Sequence, residues 1–182
     1  MALFEYNLLI ELQKLIGNKF FDNFFSSFTA FGNHGLIWIL LILVLLINNS
    51  TRKLGILAAC ALILEFGLND YVLKPLIARP RPFTTFEIYP IIEPPSGFSF
   101  PSGHSASSLA VATMVMLGKH PARHLVMVSA LLMAFSRIYL MVHYPTDVLA
   151  GILVGIMCAG IVYTIAKKFD FDPTVNIDEP KA

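Results

Sequence analysis

Charge is the scarcest property of this sequence. Only 14% of its 182 residues are Asp, Glu, Lys or Arg, and 56% are hydrophobic. An ordinary soluble domain carries about 25% charged and about 45–50% apolar residues. The shortage argues against a globule surrounded by water and for a protein of the bilayer. The few charges nearly cancel, at +1, so no basic field offers itself to a nucleic-acid partner. Cysteine is scarce too. Cys60 and Cys158, the only two, both lie in apolar runs, which argues against a disulfide scaffold. There is no His-Glu-x-x-His motif, and the cysteines are remote from every polar cluster, so neither a zinc site nor another cofactor is expected. The first residues lack a basic region, and Glu5 and Glu11 interrupt them, which does not fit a cleaved signal peptide. No internal repeat is found, and the length suits one domain.

What is present is a series of apolar segments separated by polar turns. Residues 1–18 place Leu8, Leu12, Leu15 and Ile16 near helical spacing, with Glu5, Glu11, Gln13 and Lys14 between them. This pattern predicts an amphipathic helix lying in the membrane interface, ended by Gly17-Asn18. Residues 19–33 carry Phe20, Phe21, Phe24, Phe25, Phe28 and Phe31 at helical spacing. The segment is shorter and more polar than the roughly 20 apolar residues of a crossing, so a tilted or half-inserted helix is expected. Its phenylalanine stripe either faces lipid or, as is commoner, packs on neighbouring helices. Beyond Gly32–Gly35 come apolar helices over 36–47, 54–73, 105–117, 125–142 and 146–166, with a long proline-rich loop over 74–101. Trp38 anchors the first of them at an interface. The expected fold is an all-α integral membrane bundle of five or six transmembrane helices with an N-terminal amphipathic helix. Its membrane domain covers 1–168, of which 1–33 form the interfacial part, and an exposed tail follows over 169–182.

Short-loop Lys and Arg residues predict orientation. Arg52, Lys53, Lys119, Arg123, Lys167 and Lys168 fall on one side of an alternating path, expected to be cytoplasmic together with the C-terminus. Residues 74–104 and 143–146 then meet on the opposite, non-cytoplasmic face. Lys74, Arg79, Arg81 and Arg137 gather there, although cations near hydrocarbon are costly unless they snorkel or meet an anion. Asp70 and Asp147 are the obvious internal counter-ions, and Asp70 stands four residues before Lys74, a spacing suited to an ion pair. The excess of cations points to an anionic ligand such as phosphate, which the planar fork of Arg suits.

Pro101-Ser102-Gly103-His104 precedes an apolar helix. Ser102 or Ser105 can serve as the N-cap, and the first N–H groups of the helix favour an anion. His104 and His143 form a pair in which one imidazole can act as nucleophile and the other as general acid. Asp147, four residues after His143 and just past Pro145, can reach one nitrogen of His143 and leave the other free. Glu65 lies within an apolar helix and is expected to pack or hydrogen-bond inside the bundle.

Lys74-x6-Arg81-Pro82, Pro101-Ser102-Gly103-His104 and Ser136-Arg137-x5-His143-x3-Asp147 together resemble the three-part signature of the type 2 phosphatidic acid phosphatase superfamily. Its members are integral membrane lipid phosphatases related to vanadium haloperoxidases. The likeness extends over about residues 54–166. It selects Arg81 over Arg79 by spacing, and makes Pro95-Ser96-Gly97, followed by Phe98, a decoy of the central motif. The resemblance implies that Lys74, Arg81, Arg137, Ser102 and the Gly103 backbone bind phosphate. It further implies that His143 attacks phosphorus, Asp147 orients it, and His104 protonates the leaving group, with no metal. The implied partners are the bilayer and a membrane lipid phosphate or diphosphate, with undecaprenyl diphosphate favoured and phosphatidylglycerophosphate next. The alternatives are a phosphotransferase using the same phosphohistidine, and a non-enzymatic anion or lipid transporter.

Overall fold

The computed structural model describes residues 2–86 and 88–175, which contain helices, turns and loops. The helices are α1 (Ala2–Ile16), α2 (Lys19–Ala30), α3 (Leu36–Ile47), α4 (Arg52–Leu68), α5 (Lys74–Ile77), α6 (Pro82–Thr85), α7 (Gly103–Leu117), α8 (Arg123–Tyr139) and α9 (Pro145–Lys168). Arg52–Thr85 and α9 are each long and apolar enough to cross a bilayer. Lys19–Ala30 and Asn33–Ile47 pass the same test as a pair bent by 49°.

The bundle is built on α7. Every residue from Ser105 to Ala112 is buried, and the helix packs against α9, α8 and α4. Without water to expel between apolar helices, close backbone approach through small residues drives association in a bilayer. Gly151 and Gly155, one small-x-x-x-small step apart on α9, supply it. A Cβ on Gly155 would stand 2.3 Å from the Ala106 carbonyl oxygen, and one on Gly151 2.5 Å from that of Ser102. The contact carries the two helix starts together, so that the Ser102 N–H donates to the Asp147 carbonyl at 3.0 Å.

Local chemistry sets the helix ends. Asn18 caps α2 by accepting from the N–H groups of Phe20 and Phe21 at 3.0 and 3.1 Å. Ser102 caps α7, so the helix begins at Gly103 rather than at Ser105 as expected. Pro145 occupies the first turn of α9, where its missing N–H costs nothing. The helix expected over 54–73 starts at Arg52, continues through a π-helical turn at Asn69–Leu73 and ends at Ile77. Part of the expected loop over 74–101 is therefore helical, and Lys74 stands on a helix. Pro75 lies in the first turn of α5, a position that tolerates it.

The N-terminal segments pack more intimately than their sequence suggests. Glu5, expected to interrupt an interfacial helix, is buried beside the start of α9 along with the fully buried Leu9. Of the phenylalanine stripe only Phe25 is buried, against Tyr139 and Phe135, while Phe20, Phe21, Phe24 and Phe31 are exposed. In the tail, Phe169 and Asp172 are exposed, but Phe171 and Val175 pack on the main core. The Val175 N–H also donates to the Gly118 carbonyl at 2.9 Å. Residues 176–182 of the expected tail lie outside the described residues.

A methyl group is enough to test the α7–α9 contact. Gly155→Ala forces a backbone clash and should lower stability by about 1–3 kcal/mol, the range of overpacked cores. Gly160, with nothing within 4 Å of an added Cβ, should instead gain up to about 1 kcal/mol as Ala from better helix propensity. Thermal unfolding of the two variants in detergent should therefore shift in opposite directions.

Candidate active site

The three polar clusters of the sequence meet in one cavity of about 820 Å³. Lys74, Arg81, Gly103, His104, Arg137 and His143 all line it. Ser102 and Asp147 are fully buried behind its wall. Each residue is delivered by a different local device.

His143 sits in the turn between α8 and α9, whose backbone is tied to α8 because the N–H groups of Val142 and His143 both lie 3.3 Å from the Arg137 carbonyl. Its Nε2 is 3.1 Å from Nη1 of Arg81. A guanidinium can only donate, so Nε2 accepts and the ring proton resides on Nδ1. That nitrogen faces Oδ2 of Asp147 at 3.6 Å and the Ser99 hydroxyl at 3.5 Å. The first distance is long for a hydrogen bond, and contacts of this kind commonly tighten when substrate binds. Asp147 itself is fixed: Oδ2 accepts from Ser99 Oγ at 2.5 Å and from the Tyr144 N–H at 2.9 Å.

Arg81 is held by backbone carbonyls, at 3.0 Å from Gly97, 3.2 Å from Ser96 and 3.0 Å from Val142. The decoy Pro95-Ser96-Gly97 is thus the cradle of this arginine. Burial pushes Arg81 down to about 10, opposed by Asp147, which leaves it charged at neutral pH. Arg137 is almost wholly buried; its Nη1 donates to the Thr29 hydroxyl, and its Nε has no partner among the described residues. Arg137 also lines the cavity, and a buried guanidinium left short of partners there suits an anionic ligand. Lys74 pairs with Asp70 at 2.5 Å, the expected four-residue ion pair. The ammonium also lies 3.4 Å from where a Cβ would stand on Gly103.

Gly103 and His104 occupy the first turn of α7, where N–H groups have no intrahelical acceptor. The Ser102 hydroxyl faces its own helix, accepting from the Ser105 hydroxyl at 2.9 Å, and is not part of the cavity wall. His104 reaches across to Asn33, with Nε2 at 3.2 Å from Oδ1. Its ring packs so close to Gly32 that an added Cβ there would meet it at 2.8 Å.

A family model described as PAP2 superfamily matches residues 53–171. The chain belongs to the PAP2 superfamily. An undecaprenyl-diphosphatase of Sulfolobus acidocaldarius is 35% identical over 121 residues, covering 65% of this chain and 58% of that protein. The chain thus spans less than two thirds of that relative's length. The crystal structure of Aquifex aeolicus LpxE aligns with a TM-score of 0.75 at 28% identity, over 87% of this chain and 93% of the other. A PAP2-type phosphatidylglycerolphosphate phosphatase from Bacillus subtilis aligns at 0.73 and 28% identity, over 90% and 85%.

Several residues of this PAP2 site carried no signal in the sequence. Ser99 bridges Asp147 and His143 from a position outside the three clusters. Thr29 and Asn33 hold Arg137 and His104 from a segment with no motif. Glu65 lines the cavity rather than bonding within the bundle, and its Oε1 has no partner among the described residues. Its only hint was a lone carboxylate in an apolar run. Arg79 does not line the cavity; it donates to Oδ1 of Asp147 at 2.6 Å from behind.

Burial, with Arg81 and Arg137 adding to it and Asp147 opposing, holds His143 down to about 3. The ring is therefore neutral at physiological pH, with its lone pair on Nε2 directed at Arg81 Nη1. An unfolded histidine titrates near 6.5, so between these values the unfolded chain binds more protons and stability falls as pH falls. His143→Asn should flatten this dependence. Melting temperatures of wild type and variant at pH 7 and pH 5 should differ less for the variant.

Proposed function

We propose that this chain hydrolyses a membrane lipid phosphate or diphosphate through a phosphohistidine, without a metal ion. The observation that carries the reading is the placement of His143. His143 lines the cavity together with Arg81, Arg137 and His104, with its neutral Nε2 against Arg81 Nη1 and Asp147 behind Nδ1.

In the first step Arg81 Nη1 passes from Nε2 to a phosphate oxygen, the freed Nε2 lone pair attacks phosphorus, the bond to the lipid oxygen breaks, and His104 gives a proton to that oxygen. The proton on Nδ1 faces Asp147, which stabilises the positive ring as the P–N bond forms. Lys74, Arg81, Arg137 and the N–H groups at Gly103 hold the non-bridging oxygens, whose charge spreads in the transition state. In the second step His104 takes a proton from water, the water oxygen attacks phosphorus, and the P–N bond breaks. Inorganic phosphate leaves and Nε2 is restored. Ser102 supports this reading as the cap that exposes the α7 N-terminus, and its hydroxyl is not a phosphate ligand in it.

Ile39, Leu62, Ile63 and Phe66 line the same cavity away from the cations, which suits a hydrocarbon chain entering between helices. The relatives described above include an undecaprenyl-diphosphatase and a phosphatidylglycerolphosphate phosphatase. Undecaprenyl diphosphate is favoured and phosphatidylglycerophosphate is next. In our reading five or six segments cross the membrane, the cavity opens on the non-cytoplasmic face, and the C-terminus is cytoplasmic.

Purified protein should release phosphate from at least one of undecaprenyl diphosphate, phosphatidylglycerophosphate, phosphatidic acid and lipid A phosphate. His143→Ala should reduce kcat by about a thousandfold or more, as loss of a nucleophile does, while lipid binding persists. EDTA should have no effect. Activity that survives His143→Ala, or that chelation abolishes, sinks the mechanism.

A further inference from the structure

Behind His143, on the side away from the cavity, a row of alternating charges runs out to the first helix. Glu5 on α1 is 3% exposed. Its Oε2 accepts from Arg79 Nη2 at 2.6 Å, and its Oε1 accepts from the Thr146 N–H at 3.0 Å and the Thr146 hydroxyl at 2.5 Å. Arg79 in turn donates through Nη1 to Thr146 Oγ1 at 2.7 Å and to Asp147 Oδ1 at 2.6 Å. Its guanidinium also stacks 3.9 Å above the Tyr144 ring. Every strong side-chain contact of Arg79 is thus directed at Tyr144 and Thr146, which lie between His143 and Asp147 in sequence, at Asp147 itself, or at Glu5. Neither Glu5 nor Arg79 lines the cavity. The signature reading assigns neither a part in the reaction, and α1 lies outside the matched region.

We propose that Glu5 and Arg79 are positioning residues that orient Asp147 and set how much of its negative charge reaches His143, which makes α1 a working part of the site. This rests on the reading of His143 as nucleophile.

The physical case is one of neutralisation. Asp147 is out of water, and two oxygens must serve four donors. Oδ2 takes Ser99 and the Tyr144 N–H and faces His143; Oδ1 takes Arg79. A carboxylate fully paired with a guanidinium at 2.6 Å would be weak support for an imidazolium forming 3.6 Å away. Glu5 draws on the same guanidinium through its other amino group, so the cation is shared between two carboxylates and Asp147 keeps part of its charge. The other titratable groups around His143 do not substitute for this. Arg81, Arg137, His104 and Lys74 with its partner Asp70 face it from the cavity side, on the 78–81 loop, α8, α7, α5 and the π-helical turn, and His34, Glu65 and Glu93 line the same cavity. None of these hydrogen-bonds to Asp147 among the described residues. Asp147 is the one carboxylate behind the ring among the described residues, and Arg79 and Glu5 are the charges next to it. Arg79 is itself held in its charged form, because burial is outweighed by Glu5 and Asp147.

The two substitutions should act with opposite signs. Arg79→Met removes a cation and leaves Asp147 unshared, so the His143 ring holds a proton more tightly. The acidic limb of kcat/KM should move to higher pH by about half a pH unit, the scale of one charge acting across several ångströms of protein. Glu5→Gln is isosteric and keeps acceptors for Thr146, but it leaves Arg79 wholly to Asp147. The limb should move to lower pH by a similar amount. In both variants kcat should fall while KM stays within about twofold, since neither side chain reaches the substrate. Arg79→Lys, which keeps the charge, should restore the limb to its wild-type position.

The assay is phosphate release from dioctanoyl phosphatidic acid in detergent micelles between pH 2 and 8, a range that brackets the His143 limb near 3, with unfolding followed in parallel. Limbs that stay in place in both variants, or that move in the same direction, overturn the proposal. If Arg79→Met does not fold, Glu5→Gln decides alone, and a limb that fails to move to lower pH overturns it. His143→Ala in the same assay separates the two levels: activity persisting there removes the mechanism beneath, whereas its loss with unmoved limbs removes only the role of Glu5 and Arg79.

Discussion

Two guanidinium groups kept out of water govern the arrangement of this bundle. Arg81 and Arg137 are both buried, and an unpaired cation in such a place costs several kcal/mol even after relaxation. The fold answers the two in different ways. Arg81 is met by three backbone carbonyls, supplied by the 96–97 turn and by Val142 just before His143. Arg137 is met at one nitrogen by Thr29 and is left short at another. Neither has a carboxylate directly against it: Asp70 pairs with Lys74 and Asp147 with Arg79. A protein free to minimise its own energy would pair these charges internally. Leaving two arginines under-neutralised at one cavity makes sense where a multiply charged anion completes them.

That constraint explains why the elements have the form they do. α7 and α9 must bring their N-termini to one point, so their backbones touch through Gly151 and Gly155. The π-helical turn at Asn69–Leu73 changes the facing of α5 relative to α4 and sets Lys74 beside Gly103; such turns recur at functional sites for this reason. The turn after α8 is tied to the Arg137 carbonyl, so the residue that presents the buried cation also fixes the backbone of His143. Side chain and backbone of one residue thereby hold two parts of the site in register.

Much of this was legible in the sequence, and the limits have physical reasons. Apolar runs located α3, α4, α7, α8 and α9 to within a few residues, because hydropathy over a long window is a strong signal. The cavity residues Lys74, Arg81, Gly103, His104, Arg137 and His143 were legible because polar groups in so apolar a chain need a purpose. Ser99, Thr29, Asn33 and Glu5 were not, because each is an ordinary residue in a loop or amphipathic stretch. Only the tertiary approach of distant segments gives it a partner. By periodicity Glu5 belongs to the polar face of an amphipathic helix, and in the fold it is buried against Arg79 and Thr146. Periodicity reports which face of a helix is polar, and not whether that polar face meets water or a buried arginine. Pro95-Ser96-Gly97 resembles the central motif only as a decoy, yet the Ser96 and Gly97 carbonyls hold Arg81, because backbone carbonyls bind cations whatever side chains they carry.

The N-terminal third therefore stands in a different relation to the site from the rest of the chain. The matched region supplies every Lys and Arg that lines the cavity, and α1, α2 and the 32–35 turn supply none. Yet Thr29 holds Arg137, Asn33 holds His104, the bare backbone of Gly32 makes room for the His104 ring, and Glu5 reaches Arg79. All four contacts are made to a residue that the signature region places but cannot by itself immobilise. Long side chains lose the most rotamer freedom when they are fixed, roughly 1.5–2 kcal/mol for an arginine, and a site that must align attack at phosphorus needs them fixed before substrate arrives. A segment under different constraints can do this, because its task is only to present a hydroxyl, an amide or a carboxylate at the right place. On this view the N-terminal helices act as a second wall that holds the charged residues of the first in position.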